Sequence, residues 1–444
     1  MTLANEILEA LAEIPVLDVH THLVGGRLGA RGLHDVLLYH MVISDLYAAG
    51  CPIGSRLTEY PGWPTDAEAQ HRIEEALPYL PKIRNTSGMW GVKTILADLY
   101  DWREPITEAN WRTIDAKIRE RADDRNWHHS ILDRLNIKRT CAEYARRGTG
   151  VDDYRLQYAL EWGMFTRTQW GEYDTALYDL ERTWGREPES PVAIGRIRPT
   201  TERTIQSIDD VHAAVKHYVS VIPYDKVVST ATGFSTDIDY EAPSDAMMAE
   251  AIRNRETAGP RERDIYAAYI SEAFLTELEK YGDKIVFQFS IGAEPLPYET
   301  SSRLSQKTIG QLAEIIGRHP NLRFQCTLGC HHANQAFCTL ARELPNFSLS
   351  GYWWHNFFPQ TIRQVMAERL DMLPVNKQIG FFSDAYTVEW TYAKLLIVRK
   401  QLAIVLAEKI DQGQYTLDEA LSIARSILFE SPQELIGMNA RGGC

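Results

Sequence analysis

Asp18-Val-His20-Thr-His22 ends the apolar run that starts at Ile14, and it carries the side chains best suited to chemistry in this chain. Alternate residues of an extended strand share a face, so Asp18, His20 and His22 are expected to point the same way. Two imidazoles at that spacing can grip one divalent cation, and an acid on the same face either orients them or completes the site. Far along the chain, Ser383-Asp384 ends another strand-like run and supplies a third donor. A carboxylate there binds metal and also accepts a proton, since a nearby cation lowers its pKa. His20, His22 and Asp384 together make a three-ligand site with open positions, the requirement for a catalytic rather than a structural ion. The competing role for Asp384 is an N-cap of the helix that follows. These donors suit zinc first, and manganese, iron or cobalt as well.

Other candidates surround this set. His40, just after the first strand, is placed to cover the pocket as an acid or base, and His355 is a second candidate for that role. Trp353 and Trp354 offer an aromatic platform, although neighbours on one strand cannot both point inward. His331 and His332 face opposite ways if extended, so one of them, taken as His331, can reach substrate. Arg167 is the candidate anion clamp. Lys226 begins its strand rather than ending it, which argues against a lysine-bridged pair of metals. Cys326 and Cys330, followed by His331 and His332, lack a second ligand pair at zinc-finger spacing, so a structural zinc is not expected there.

The elements that position these residues alternate between strand-like and helical runs, as in an α/β fold with a parallel sheet. Strands are predicted at 14–22, 137–142, 157–165, 226–232, 284–290, 321–328, 346–352 and 378–383. Helix starts are marked by Ser207-x-x-Asp210, by Ser305 and by the capping box Thr416-x-x-Glu419. His319-Pro320 is a stop. Eight strands with helices between them predict a (β/α)8 TIM-type barrel, whose chemistry gathers at the C-terminal strand ends. Residues 1–50 and 136–444 are assigned to the barrel. Residues 51–135, rich in Trp, Pro and charge, are read as a mainly helical insertion or lid after the first strand. The polar stretch 233–265 reads as a second loop excursion.

A formal net charge of −13 argues against a nucleic-acid partner. No apolar run is long enough to span a bilayer, and the N-terminus lacks the regions of a signal peptide, so a cytoplasmic protein is expected. Six cysteines fit a reduced compartment better than a disulfide framework. An acidic barrel with large insertions is expected to self-associate into a homo-oligomer.

Taken together, these residues resemble the amidohydrolase superfamily, and within it the uronate isomerases. Leu17-Asp-Val-His-Thr-His-Leu23 is similar to their opening motif. Tyr39-His40 through Gly50, Gln288-Phe-Ser-Ile-Gly-Ala293, Gly351-Tyr-Trp-Trp-His-Asn356 and Ser383-Asp-Ala-Tyr386 follow in the family's order. The resemblance implies a metal-dependent aldose–ketose isomerase, or epimerase, of a hexuronate or related sugar acid. Asp384 would carry the proton between C2 and C1, and an arginine would hold the carboxylate. Trp353, Trp354, His331 and Tyr386 would line the sugar. A metal-dependent hydrolase of the same superfamily, opening a lactone or amide, is the second reading. The sequence departs from the family pattern at three points: Met41 replaces a tyrosine, Ser290 a histidine and Tyr386 an arginine.

Overall fold

The computed structural model describes residues 2–23, 28–52, 65–143, 153, 155–161, 175–184, 203–234, 239–293 and 304–437. Eight short runs of apolar and β-branched residues form β1 (Val16–Thr21), β2 (Ile137–Glu143), β3 (Leu156–Glu161), β4 (Val227–Gly233), β5 (Val286–Ile291), β6 (Arg323–Leu328), β7 (Phe347–Ser350) and β8 (Gln378–Ile379). All eight lie where the sequence predicts strands. They pair in parallel in chain order, as an α/β barrel of the TIM type requires. The expected end of the third strand at 162–165 lies outside the described residues. The eighth is shortened to a two-residue ladder, with 380–384 continuing without regular pairing.

The seam between the first and last strands is held by the chain that follows β8. Asp384 N–H donates to the His20 carbonyl at 2.9 Å, and His22 N–H donates to the Ala385 carbonyl at 2.8 Å. Beneath these bonds the buried Asp18 carboxylate accepts from Ser383 N–H at 2.7 Å and from the Thr140 hydroxyl at 3.2 Å. Inside the sheet, Leu17, Val19, Cys141, Ala159, Val286, Ile379 and Phe382 pack into one apolar group. Phe429, Leu435 and Ile436 join it from the C-terminal segment. Arg323, at the start of β6, donates to the carbonyls of Glu434 and Leu435, so this segment covers the end opposite the site.

Between β1 and β2 the chain is mainly helical, with helices at Asp66–Ala76, Ser87–Tyr100, Trp111–Arg119 and Arg125–Arg134. The helix Ser87–Tyr100 packs on the long helix Val388–Asp411. Gly91 makes this close approach possible, because a Cβ there would lie 2.5 Å from the Trp390 ring. Tyr100 adds a hydroxyl bond of 2.8 Å to the fully buried Glu389, whose carboxylate also receives Ala30 N–H.

The loop expected at 233–265 is instead partly helical. Ser244 caps the helix Asp245–Arg253 by accepting from Met247 N–H, and Met248, Ala251 and Ile252 bury its apolar side. A second helix, Pro260–Leu278, starts with proline in its first turn and buries most of its length. Charged residues spaced through the first helix hid its short apolar side. No helix among the described residues is long and apolar enough to cross a membrane.

Candidate metal centre

His20 sits near the end of β1 and His22 one residue beyond it. The strand leaves strict register between Asp18 and Thr21. The imidazoles meet edge to face, with ring centroids 5.0 Å apart. Asp384 comes from the seam opposite. Its Oδ1 lies 3.1 Å from His22 Nε2 and 3.5 Å from His20 Nε2. One ligand atom from each of the three residues falls within 4.8 Å of the others, and no other such group occurs among the described residues. Two imidazole nitrogens and a carboxylate oxygen converging at that spacing fit a divalent ion. The expected trio is therefore brought together, with His22 and Asp384 362 residues apart. Asp18 is not part of it, since its carboxylate is engaged at the seam. Burial pushes the Asp18 carboxyl up to about 6, outweighing its bonds from Ser383 and Thr140.

Asp384 is not a helix cap. The N-cap of the following helix is Thr387, and Asp384 itself adopts a left-handed backbone with φ of 50°. Aspartate tolerates that region better than most residues, but the conformation still needs support. The support comes from its backbone bond to His20 and from Tyr39, whose hydroxyl donates to the Asp384 carbonyl at 2.6 Å. Tyr39 stacks in turn on Trp390 at 4.2 Å.

The two Asp384 oxygens face different neighbours. Oδ2 lies 3.5 Å from His40 Nε2 and 3.8 Å from the Lys394 ammonium. Burial acts to raise this carboxyl, but Lys394 and the hydrogen bonds of His20 and His22 outweigh it and hold it well below the usual carboxylate range. His40 is the first residue of the helix His40–Ala48, and its ring lies 4.9 Å from Trp354. His40, Trp354 and Tyr386 thus gather around the metal group, with Tyr386 stacked on His22 at 4.6 Å and 13°.

β7 ends at Ser350, so Trp353 and Trp354 belong to a turn rather than a strand, and Trp354 has φ of 45°. That turn removes the restriction that neighbours face opposite ways. Trp353 packs on the apolar group inside the sheet while Trp354 reaches His40. His355 is exposed, His331 is half-buried and His332 is exposed. Lys226 is exposed at the start of β4, as its position implied. Cys326 and Cys330 are buried thiols whose pKa values burial raises. Arg167 lies outside the described residues. Of the three departures from the family pattern, Met41 is buried, Ser290 shares a 2.6 Å hydroxyl contact with Thr327, and Tyr386 is the ring on His22.

Two neighbours of this centre escaped the sequence. Glu143 ends β2 with Oε1 3.0 Å from His22 Nδ1. An acid at the C-terminal end of a strand was the signal, and it stood one strand over from the H-x-H. Lys394 lies in the apolar face of the helix Val388–Asp411, its ammonium 5.1 Å from the Tyr39 ring centroid and 4.6 Å from that of Phe357. A lone charge inside an apolar stripe was its only mark.

Solved structures share this fold over nearly the whole chain. Glucuronate isomerase from Caulobacter crescentus has a TM-score of 0.77 at 13% identity, covering 99% of this chain and 94% of its own. Uronate isomerase from Thermotoga maritima has a TM-score of 0.75 at 13% identity, covering 98% and 97%. A uronate isomerase from Bacillus halodurans has a TM-score of 0.67 at 18% identity, covering 98% and 96%. No family model and no curated protein matches the sequence. The likeness is one of fold, carried by structure at low identity.

Proposed function

We propose that this chain is a divalent-metal-dependent isomerase that interconverts the aldose and ketose forms of a hexuronate or related sugar acid. The observation that carries the reading is the division of Asp384, with one oxygen turned to two imidazole nitrogens and the other to His40. Isomerisation needs a base that collects a proton from one carbon and returns it to the next, with a relay for the hydroxyl proton. The likeness in fold to three isomerases that act on uronates supports the substrate class.

His20, His22 and Asp384 would hold the ion. A bound divalent ion supplies Lewis-acid polarisation of the substrate's neighbouring oxygens and lowers the cost of the charge that develops on them. Asp384 takes the proton from C2 of the open-chain sugar and delivers it to C1. His40, 3.5 Å from Oδ2, exchanges a proton with that carboxylate or with the sugar hydroxyl. Trp354 walls the same side, His331 and His355 are assigned to the substrate, and Arg167 is the proposed clamp of its carboxylate. Zinc is the proposed ion, with manganese, iron and cobalt as the other candidates.

The test is to incubate the metal-loaded protein in D2O with a panel of hexuronates and their lactones and to follow the sugars by NMR. Ketose formation with deuterium entering C1 or C2 is expected. Lactone opening without C–H exchange would replace isomerisation with hydrolysis.

A further inference from the structure

We propose that Glu143 is a positioning residue of the metal centre, which keeps a proton on His22 Nδ1 so that Nε2, bonded here to Asp384 Oδ1, can give its lone pair to the ion. The proposal rests on the metal-centre reading above and deepens it. An imidazole binds a metal through one nitrogen only if the other carries the proton, and a hydrogen-bond acceptor on that second nitrogen makes the choice. His22 has a carboxylate on each side. Asp384 Oδ1 lies 3.1 Å from Nε2 and Glu143 Oε1 lies 3.0 Å from Nδ1. The two ring nitrogens point apart, so Glu143 lies behind the ring as seen from the ligand group and does not join the cluster of three donors.

The surroundings fix Glu143 as firmly as the histidine. It is the last residue of β2, 5% exposed, with its Cα paired to Ala159 of β3, and its neighbour Ala142 is paired to Thr21 of β1. Register therefore sets how far its carboxylate reaches. The plane of the ring is set separately by Tyr386, stacked at 4.6 Å and 13°. The His22 backbone is tied to Ala385 at 2.8 Å. Tautomer, plane and backbone position are thus each fixed by a different contact. Where the family pattern places a guanidinium, residue 386 here braces a ligand.

The experiment measures Zn2+ and Co2+ binding by titration calorimetry, records the Co2+ absorption spectrum, and assigns the His22 tautomer by 15N NMR. Wild type is compared with Glu143→Gln, which keeps an acceptor, and Glu143→Leu, which does not. Circular dichroism checks that both variants fold. Wild type is expected to bind one ion per chain with the proton of His22 on Nδ1. Glu143→Leu should weaken binding by about 10- to 100-fold and mix the tautomers. Glu143→Gln should weaken it less and leave the Co2+ coordination spectrum unchanged. Equal affinity in folded Glu143→Leu and wild type would overturn the positioning role while leaving the metal centre standing. A changed coordination number in Glu143→Gln would make Glu143 a ligand instead and overturn it as well. Failure of wild type to bind either ion would remove the metal reading itself.

Discussion

Asp384 is the residue on which the proposed mechanism turns, because each of its oxygens faces different neighbours. Asp384→Asn keeps the shape but removes both the charge that binds the ion and the base. Turnover should fall by about 10²–10⁴-fold or more, measured by NMR of the sugar products with a circular dichroism check of folding. Substantial residual turnover would take the proton-carrying role away from this residue. Lys394 tests the other oxygen. It is a buried cation 3.8 Å from a buried carboxylate, and removing one partner of such a pair typically costs about 3–5 kcal/mol. Lys394→Met should therefore destabilise the metal-free protein strongly. The loss should shrink once metal is added, because the bound ion takes over neutralisation of Asp384. Equal losses in thermal melts with and without metal would show that the ammonium does not serve that carboxylate.

At the scale of elements, a chain of contacts leads from a helix between β1 and β2 to the site. Gly91 lets Trp390 close in, Trp390 stacks on Tyr39, and the Tyr39 hydroxyl holds the Asp384 carbonyl. Gly91→Ala should cost about 1–3 kcal/mol by overpacking and also weaken metal binding, although residue 91 touches no ligand. Calorimetric titration with Zn2+ would show whether the two effects travel together. A second device lies at the far end, where His319 sits between Glu272 (3.3 Å) and Glu279 (3.2 Å). Burial opposes the charge on His319, but the two carboxylates outweigh it and raise its pKa. Burial likewise acts to raise Glu272, yet His319 and Arg318 bring it down to about 2. The His319 contribution is whole below about pH 6.5 and is lost as pH rises through its raised folded value. The Glu272 contribution is whole above about pH 4.5 and fades as pH falls toward 2. His319→Gln should therefore lower the melting temperature most near pH 5–6 and least near pH 9. A pH-independent loss would contradict the ion cluster. The strands were legible because a parallel strand covered on both faces reads as an unbroken apolar run. His20, His22 and Asp384 were legible because their chemistry sits at the ends of such runs. Glu143, Lys394 and the helices after β4 were not, since their meaning depends on what another element brings beside them.

For the whole molecule, the seam between β1 and β8 is both the weakest part of the sheet and the place where the ligands meet. β8 pairs with β7 over only two residues, and two backbone bonds, the Thr21 hydroxyl and the Asp18 carboxylate join β1 to the chain after β8. A metal bound there links the two edges. Saturation at 100 times Kd should add about 2.7 kcal/mol to unfolding, read as a rise in melting temperature with Zn2+ or Mn2+ that is absent in Asp384→Asn. The same seam sets an order of events during synthesis. His20 and His22 are made before the other strands, and Asp384 follows 362 residues after His22, when all eight strands have been made. A ribosome-bound fragment that stops short of Asp384 should therefore leave the ion essentially unbound, so that loading of the centre would report that β1 and the segment after β8 have been joined.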